Sequence, residues 1–238
     1  IIPDDTRERI YRKYTTVKKN ENGTPVSIEF KNTEKFNFAF DLVDELAKKD
    51  PEKLAMLHID RDGNERRFTF TDISLASNQC ANYFKSLGIK KGDVFTAFMP
   101  TCGHGFIAFY SLIKLGVIAN FVHPLTPPQQ LEETMAHTKS KGIFMLDLFA
   151  GAYTNIIEKY PTIVCSVSDF CDGIAYQYAK GNEMQNAHVP EHKNIYRYMD
   201  IMAMDLPAVP DIERPGKNDA IYLHGGGTTG RSKTIIHS

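Results

Sequence analysis

Between residues 225 and 233 the chain reads Gly225-Gly226-Gly227-Thr228-Thr229-Gly230-Arg231-Ser232-Lys233. Glycine lets a backbone reach positive φ and come close to a ligand. Successive N–H groups in such a turn point inward and make a nest for an anion. Thr228 and Thr229 add hydroxyl donors, and Arg231 and Lys233 add positive charge. The combination suits a polyphosphate; a flexible linker needs neither the paired threonines nor the cations. The elements that must position it are short. Residues 220–223 are an apolar, partly β-branched run that predicts a strand leading in, and Thr234, Ile235 and Ile236 predict a strand leading out. Residues 225–232 also nearly spell G-x-x-x-x-G-K-S/T, with Arg231 in place of lysine. That motif aims the N-terminus of a following helix at the phosphates, and a β-branched run is a poor helix start. The loop is therefore expected to be the bend between two strands.

This stretch resembles the phosphate loop of the adenylate-forming (AMP-binding) superfamily, whose members include acyl-CoA synthetases. That loop usually reads Y-T-S-G-T-T-G-x-P-K-G, followed by apolar residues and often His-Thr or His-Ser. Here residues 224–234 occupy the frame, Ile235-Ile236-His237-Ser238 continue it, and Asn218-Asp219-Ala220-Ile221 resembles the usual lead-in. Gly225 and Gly226 replace residues that carry hydroxyls, Ser232 replaces the common proline, and Thr234 the common glycine. The middle of the chain is similar to the family as well: Phe70-Thr71-Asp72-Ile73 to "T-Y-x-E-L", residues 88–94 to "G-v-x-x-G-D-x-V", residues 112–116 to "l-x-K-x-G", and residues 122–125 to "v-P-l". Their order ahead of the glycine–threonine loop is the joint signal.

The resemblance implies an ATP-dependent acid–thiol ligase. A carboxylic acid, here of the fatty type, attacks the α-phosphorus of ATP, and coenzyme A then takes the acyl group. Gly225, Gly226, Gly227, Thr228, Thr229 and Gly230 would form the ATP phosphate cradle, with Lys233 as counter-charge. His224, in the place of a common aromatic, and His123 would line a pocket. Mg2+ is implied with ATP, with no ligand set assigned, and a homodimer is among the assemblies the resemblance admits. In the family the adenine, ribose and magnesium residues and the mobile small domain follow this loop. The chain is therefore expected to be an amino-terminal fragment, unable to adenylate by itself. A peptide-synthetase-type or aryl-acid adenylation domain, and a non-catalytic nucleotide- or protein-binding module, stay open as alternatives.

Composition bounds the rest. The chain has 238 residues, 42% hydrophobic and 24% charged, an ordinary globular balance with room for one large domain or two small ones. A net charge of -1 without a basic cluster gives no bulk attraction to nucleic acid or anionic membrane. No apolar run is long enough to span a bilayer. The four cysteines, Cys80, Cys102, Cys165 and Cys171, form no C-x-x-C and are expected to be free thiols of a reducing, cytoplasmic compartment. The opening Ile1-Ile2-Pro3 lacks a signal pattern and is expected to be a cut start.

The expected fold is α/β, a mostly parallel sheet with helices on both faces, preceded by a β-hairpin: the first part of the large domain of an adenylate-forming enzyme. Residues 1–35 are assigned to an N-terminal arm, with a helix over 4–14 and a strand over 26–30. Residues 36–238 are assigned to the large domain. A helix over 37–49 with Asn37 as cap precedes a hairpin, strands 53–60 and 65–70 around a turn at 61–64. Thr71 is expected to cap the next helix, which Gly88 closes. Strands at 94–99, 117–122, 143–146 and 163–167 then alternate with helices at 104–115, 128–139 and 148–160, the rhythm of a parallel sheet. Helices are expected at 173–180 and 194–204, with a polar stretch at 181–193.

Three further patterns compete for chemistry. His188-Val189-Pro190-Glu191-His192 matches H-x-x-E-H, but Pro190 removes a helix N–H, so a solvated loop is expected. Cys102 and His104 could act as nucleophile and base only with a third group to orient the imidazole, and none is identifiable, so capping or partial burial is expected. Asp44-Glu45 and Glu132-Glu133 are expected on solvated helix faces.

Overall fold

The computed structural model describes residues 10–31, 33–59, 63–171, 173–205, 220–225 and 233–237. Helix α1 (Tyr11–Tyr14) leads into strands β1 (Thr15–Lys19) and β2 (Pro25–Phe30), an antiparallel hairpin. Tyr14 anchors it, its hydroxyl donating to the Asp41 carbonyl at 2.9 Å and its ring meeting Phe36 edge-on. Every residue of β2 is exposed. A π-helical stretch (Ala39–Asp44) runs into α2 (Glu45–Lys49), and the Asn37 side chain accepts from the N–H of Ala39, as a cap should. A second hairpin, β3 (Leu54–Ile59) and β4 (Glu65–Thr69), leads to the long helix α3 (Phe70–Ser86); of the expected turn, residues 61 and 62 lie outside the described residues.

The main sheet follows: β5 (Val94–Phe98), α4 (Gly103–Lys114), β6 (Ile118–Phe121), α5 (Pro128–His137), β7 (Ser140–Leu146), α6 (Asp147–Ala150), α7 (Thr154–Ile157), β8 (Thr162–Cys165), α8 (Gly173–Asn186), β9 (Ile195–Arg197), α9 (Tyr198–Ala203), β10 (Ile221–Gly225) and β11 (Lys233–His237). Its order is β11-β10-β6-β5-β7-β8-β9, and every neighbouring pair is parallel except β10–β11. All five residues of β5 are buried, as a strand covered on both faces must be. Consecutive residues of β7 serve opposite cores. Phe144 packs with Phe84, Phe95, Ile107, Leu112 and Ile201 under α3, α4 and α9. Ile143 and Met145 pack with Phe98, Leu131, Met135 and Ile156 under α5 and α7. The expected architecture holds.

Local assignments differ in four places, each for a physical reason. Thr69, not Thr71, caps α3: its Oγ1 accepts from the Asp72 N–H at 3.2 Å, and Asp72 Oδ2 accepts from the Thr69 N–H at 2.8 Å. The Thr71 hydroxyl instead donates to the Pro51 carbonyl. Residues 195–197 are strand rather than helix, because the open edge of β8 supplies a parallel partner. The expected helix over 148–160 is two single turns, separated where Gly151 passes His188 so closely that a Cβ would sit 2.9 Å from its carbonyl oxygen. Helix α8 continues to Asn186 through the polar stretch, with Glu183 buried beneath it.

Asp44 is not solvated either. Its Oδ1 accepts from Lys114 Nζ at 2.7 Å and from the Ser74 hydroxyl at 2.6 Å. Lys114 is wholly buried and also donates to Ser77 and Asn78, so one ammonium ties the π-helical stretch, α3 and α4 together. Glu132 bonds Asn155 and Lys159, joining α5 to α7.

Candidate nucleotide-phosphate site

β10 lies on β6 with Ile221 opposite Ala119, Tyr222 opposite Asn120 and Leu223 opposite Phe121. β11 returns antiparallel, with Gly225 opposite Lys233. The expected bend between two strands is thus a hairpin, and its loop leaves from the carboxyl end of β10, the side of a parallel sheet where ligand crevices open. Gly226, Gly227, Thr228, Thr229 and Gly230, with Arg231 and Ser232, lie outside the described residues. Gly225 and Lys233 form the stem. Gly225 is extended strand; a Cβ there would sit 3.8 Å from Ile235 Cδ1 and 4.0 Å from the Lys233 carbonyl, ordinary contacts that demand no glycine.

Beneath the stem runs a buried polar network. His224 Nε2 is 2.6 Å from Asn120 Oδ1. Asn120, fully buried, donates from Nδ2 to Thr96 Oγ1 at 3.0 Å and to Thr138 Oγ1 at 3.4 Å. Thr96 and Ser140 hydroxyls meet at 2.8 Å, Ser140 and Thr138 at 3.0 Å, and Thr138 donates to the Thr134 carbonyl at 2.9 Å. Because Thr138 gives its proton to a carbonyl, it accepts from Ser140, which leaves Ser140 to accept from Thr96. The directions then put a proton on His224 Nε2, and Nδ1 faces the Thr234 hydroxyl at 3.4 Å. Burial holds the His224 imidazole below the ordinary histidine value, and His137 adds to the shift. The network crosses β11, β10, β6, β5 and β7, so the stem is locked laterally to the centre of the sheet.

The AMP-binding enzyme family matches this chain over residues 43–238. The chain belongs to that family. It is 25% identical over 193 residues to the 3-hydroxypropionyl-coenzyme A synthetase of Sulfurisphaera tokodaii, a match covering 78% of the chain and 28% of that protein. It is 21% identical over 231 residues to the acetyl-coenzyme A synthetase of Bdellovibrio bacteriovorus, covering 95% of the chain and 35% of the relative. For 4-coumarate--CoA ligase 1 of Solanum tuberosum the identity is 22% over 174 residues, 73% of the chain and 28% of the ligase. The chain therefore spans roughly a third of the length of the curated relatives it matches.

In this AMP-binding chain the other histidines fall in distinct settings. His123 is exposed in the turn after β6, its Nδ1 accepting from the Leu125 N–H at 3.2 Å. It stands at the same carboxyl end of the sheet as the stem. A cavity of about 400 Å³ opens at the far edge, between α3 and β9, lined by Tyr83, Tyr196, Arg197 and His192 among others; neither His123 nor His224 touches it. Residues 188–192 form no helix, so His188 and His192 do not share a helical face, and among the described residues no cluster of three His, Cys, Asp or Glu side chains could hold a metal.

His104 is the correction. It is buried, and its Nε2 lies 3.0 Å from Asp169 Oδ2, so the orienting group that the sequence did not reveal exists, 65 residues away. Asn120 was missed as well. A lone asparagine in an apolar run, Ile118-Ala119-Asn120-Phe121, is the one signal that marked it.

Proposed function

We propose that the chain is the phosphate-binding, amino-terminal part of the large domain of a cytoplasmic, ATP-dependent acyl-CoA synthetase, with residues 1–35 as an arm and 36–238 as domain. The enzyme joins a carboxylic acid, a fatty acid on the sequence reading, to ATP as acyl-adenylate and passes it to coenzyme A. The observation that supports this reading is the β10–β11 pair, whose described stem, Gly225 and Lys233, stands at the carboxyl end of a parallel sheet in a chain of the AMP-binding family. Three relatives named as coenzyme A synthetases or ligases support the thiol acceptor.

In the first half-reaction negative charge moves onto the departing pyrophosphate. Backbone N–H groups of 225–230 and the hydroxyls of Thr228 and Thr229 would donate to it, and Lys233 would offset its charge. Lys233 starts β11 and is exposed, so its ammonium could approach a bound phosphate. His224 and His123 would border the pocket from β10 and β6. Magnesium bound with the triphosphate would shield its oxygens.

Acid-dependent ATP–pyrophosphate exchange tests the reading, with acetate, 3-hydroxypropionate, 4-coumarate and a long-chain fatty acid as candidate acids. Lys233→Ala in the complete ligase is expected to lower exchange about 100- to 1,000-fold, the usual cost of removing one transition-state donor. The 238-residue chain alone is expected to show none. Unchanged exchange in the variant would remove the cradle assignment, and brisk exchange by the chain alone would refute its dependence on further sequence.

A further inference from the structure

The cavity of about 400 Å³ at the β9 edge of the sheet plays no part in the phosphate site. Its volume falls in the range of small-molecule sites. Hydrogen bonds fix its walls. Gln79 of α3 donates from Nε2 to the carbonyls of Ile201, Met202 and Met204 at 3.2, 2.8 and 2.7 Å, so the end of α9 is held against α3. Asn194 donates from Nδ2 to the Ile157 carbonyl at 2.8 Å and to the Glu158 carbonyl at 3.1 Å. Its N–H gives to His192 Nδ1 at 3.3 Å, which sets the approach to β9. The floor is aromatic and apolar. Tyr83 and Tyr196 meet edge-on with ring centroids 5.7 Å apart, beside Ile195 and buried Ile201. Tyr83 is only 7% exposed, and its hydroxyl makes no hydrogen bond. Among the described residues no fully enclosed side-chain oxygen or nitrogen lacks a partner, so this hydroxyl opens into the cavity that Tyr83 lines. Burial pushes its pKa up to about 12, and Tyr196 adds to the shift, so the phenol keeps its proton. A polar group so nearly enclosed costs free energy until another atom meets it.

The rim carries charge of both signs. Arg197, Glu191 and Asp200 are exposed and line the same cavity. The Arg197 guanidinium makes neither an ion pair nor a hydrogen bond, although two carboxylates share its rim, and those carboxylates are likewise unpaired. Opposite charges held apart around one opening complement a ligand that itself carries both. A lone anion there would meet two carboxylates, and a lone cation would meet the guanidinium.

We infer that this cavity binds a free aromatic amino acid whose ring carries a polar hydrogen. The α-carboxylate pairs with Arg197 and the α-ammonium with Asp200 or Glu191. The ring packs on Tyr196, and its polar hydrogen is given to the Tyr83 hydroxyl oxygen. The cavity lies at the opposite edge of the sheet from the β10–β11 stem, and the inference does not depend on what that stem holds.

The chain has no tryptophan, so L-tryptophan serves as its own probe: the protein is titrated into it, and fluorescence anisotropy is read with light that excites indole alone. Tryptamine, which lacks the carboxylate, and indole-3-propionate, which lacks the ammonium, are titrated alongside. Each is expected to bind at least about 10-fold more weakly than tryptophan, the usual worth of one hydrogen bond to a charged group. Tyr83→Phe removes only the unpartnered hydroxyl and is expected to weaken tryptophan about 2- to 10-fold. Arg197→Gln is expected to abolish the preference for tryptophan over tryptamine and to keep that over indole-3-propionate. Circular dichroism reports that each variant is folded, and the wild-type ligand series needs no variant. An unchanged anisotropy at up to about 1 mM protein, a binding free energy weaker than about -4 kcal/mol, overturns the inference. So does either half-ligand binding as tightly as tryptophan, and so do folded variants that leave the three affinities in place.

Discussion

Replacing Asn120 and His224 by alanine, singly and together, measures how firmly the hairpin stem is tied to the sheet. In Asn120→Ala the His224 N–H loses its 2.6 Å acceptor, and Thr96 and Thr138 each lose a donor. In His224→Ala the Asn120 carbonyl oxygen, wholly inside the protein, is left without its partner. A buried polar group stripped of its partner costs about 1–3 kcal/mol. Asn120→Ala, which removes all of these hydrogen bonds at once, belongs at about 2–4 kcal/mol. The double variant strands neither group, so the pair should couple by about 1–3 kcal/mol. Urea unfolding followed by circular dichroism reads this, since the chain has no tryptophan for fluorescence. With a slope of about 2 kcal/mol per molar urea, that coupling separates the double variant's midpoint from the additive value by about 0.5–1.5 M. Single effects that add to within about 0.5 kcal/mol would refute the network as the lock on the stem.

Four other outcomes follow from the structure. Lys114→Met leaves Asp44 with the Ser74 hydroxyl but without its counter-ion and is expected to cost about 3 kcal/mol, seen as a lower thermal midpoint. The His224 imidazole is depressed in the folded chain, so the unfolded chain binds the proton more readily; the stability difference between wild type and His224→Ala should be full above the ordinary histidine value of about 6.5 and shrink as pH falls through the folded value. Denaturation at several pH values checks the sign. Gly225→Thr is expected to be tolerated, because its Cβ meets nothing closer than 3.8 Å, whereas Gly142→Ala drives a methyl to 2.4 Å from the Phe95 ring and 2.8 Å from the Pro161 carbonyl and should cost about 1–3 kcal/mol in a urea titration.

The layered architecture was legible because strand and helix periodicities differ and short connections leave few topologies. Helix ends were less so. Thr69 and Thr71 both suit a cap, and only the Asp72 side chain, three residues past Thr69, makes the reciprocal bond. The strand at 195–197 carries a mixed polar pattern that periodicity assigns to a helix; an unfilled sheet edge overrules it. Of the candidate site, the sequence identified the two strands that flank the loop. It did not identify Asn120, whose partners lie in β5, β10 and the residue that closes α5.

By itself the sequence determined that residues 224–234 follow the phosphate-loop pattern and that strands flank them, because glycine freedom, hydroxyl spacing and β-branching are properties of neighbours in the chain. Tertiary structure alone decided which buried polar groups meet. Asp169 reaches His104 across 65 residues, and His224 reaches Asn120 across 104. Such pairs are selected by the need to satisfy every polar atom enclosed between layers, a demand that arises only once the layers have closed.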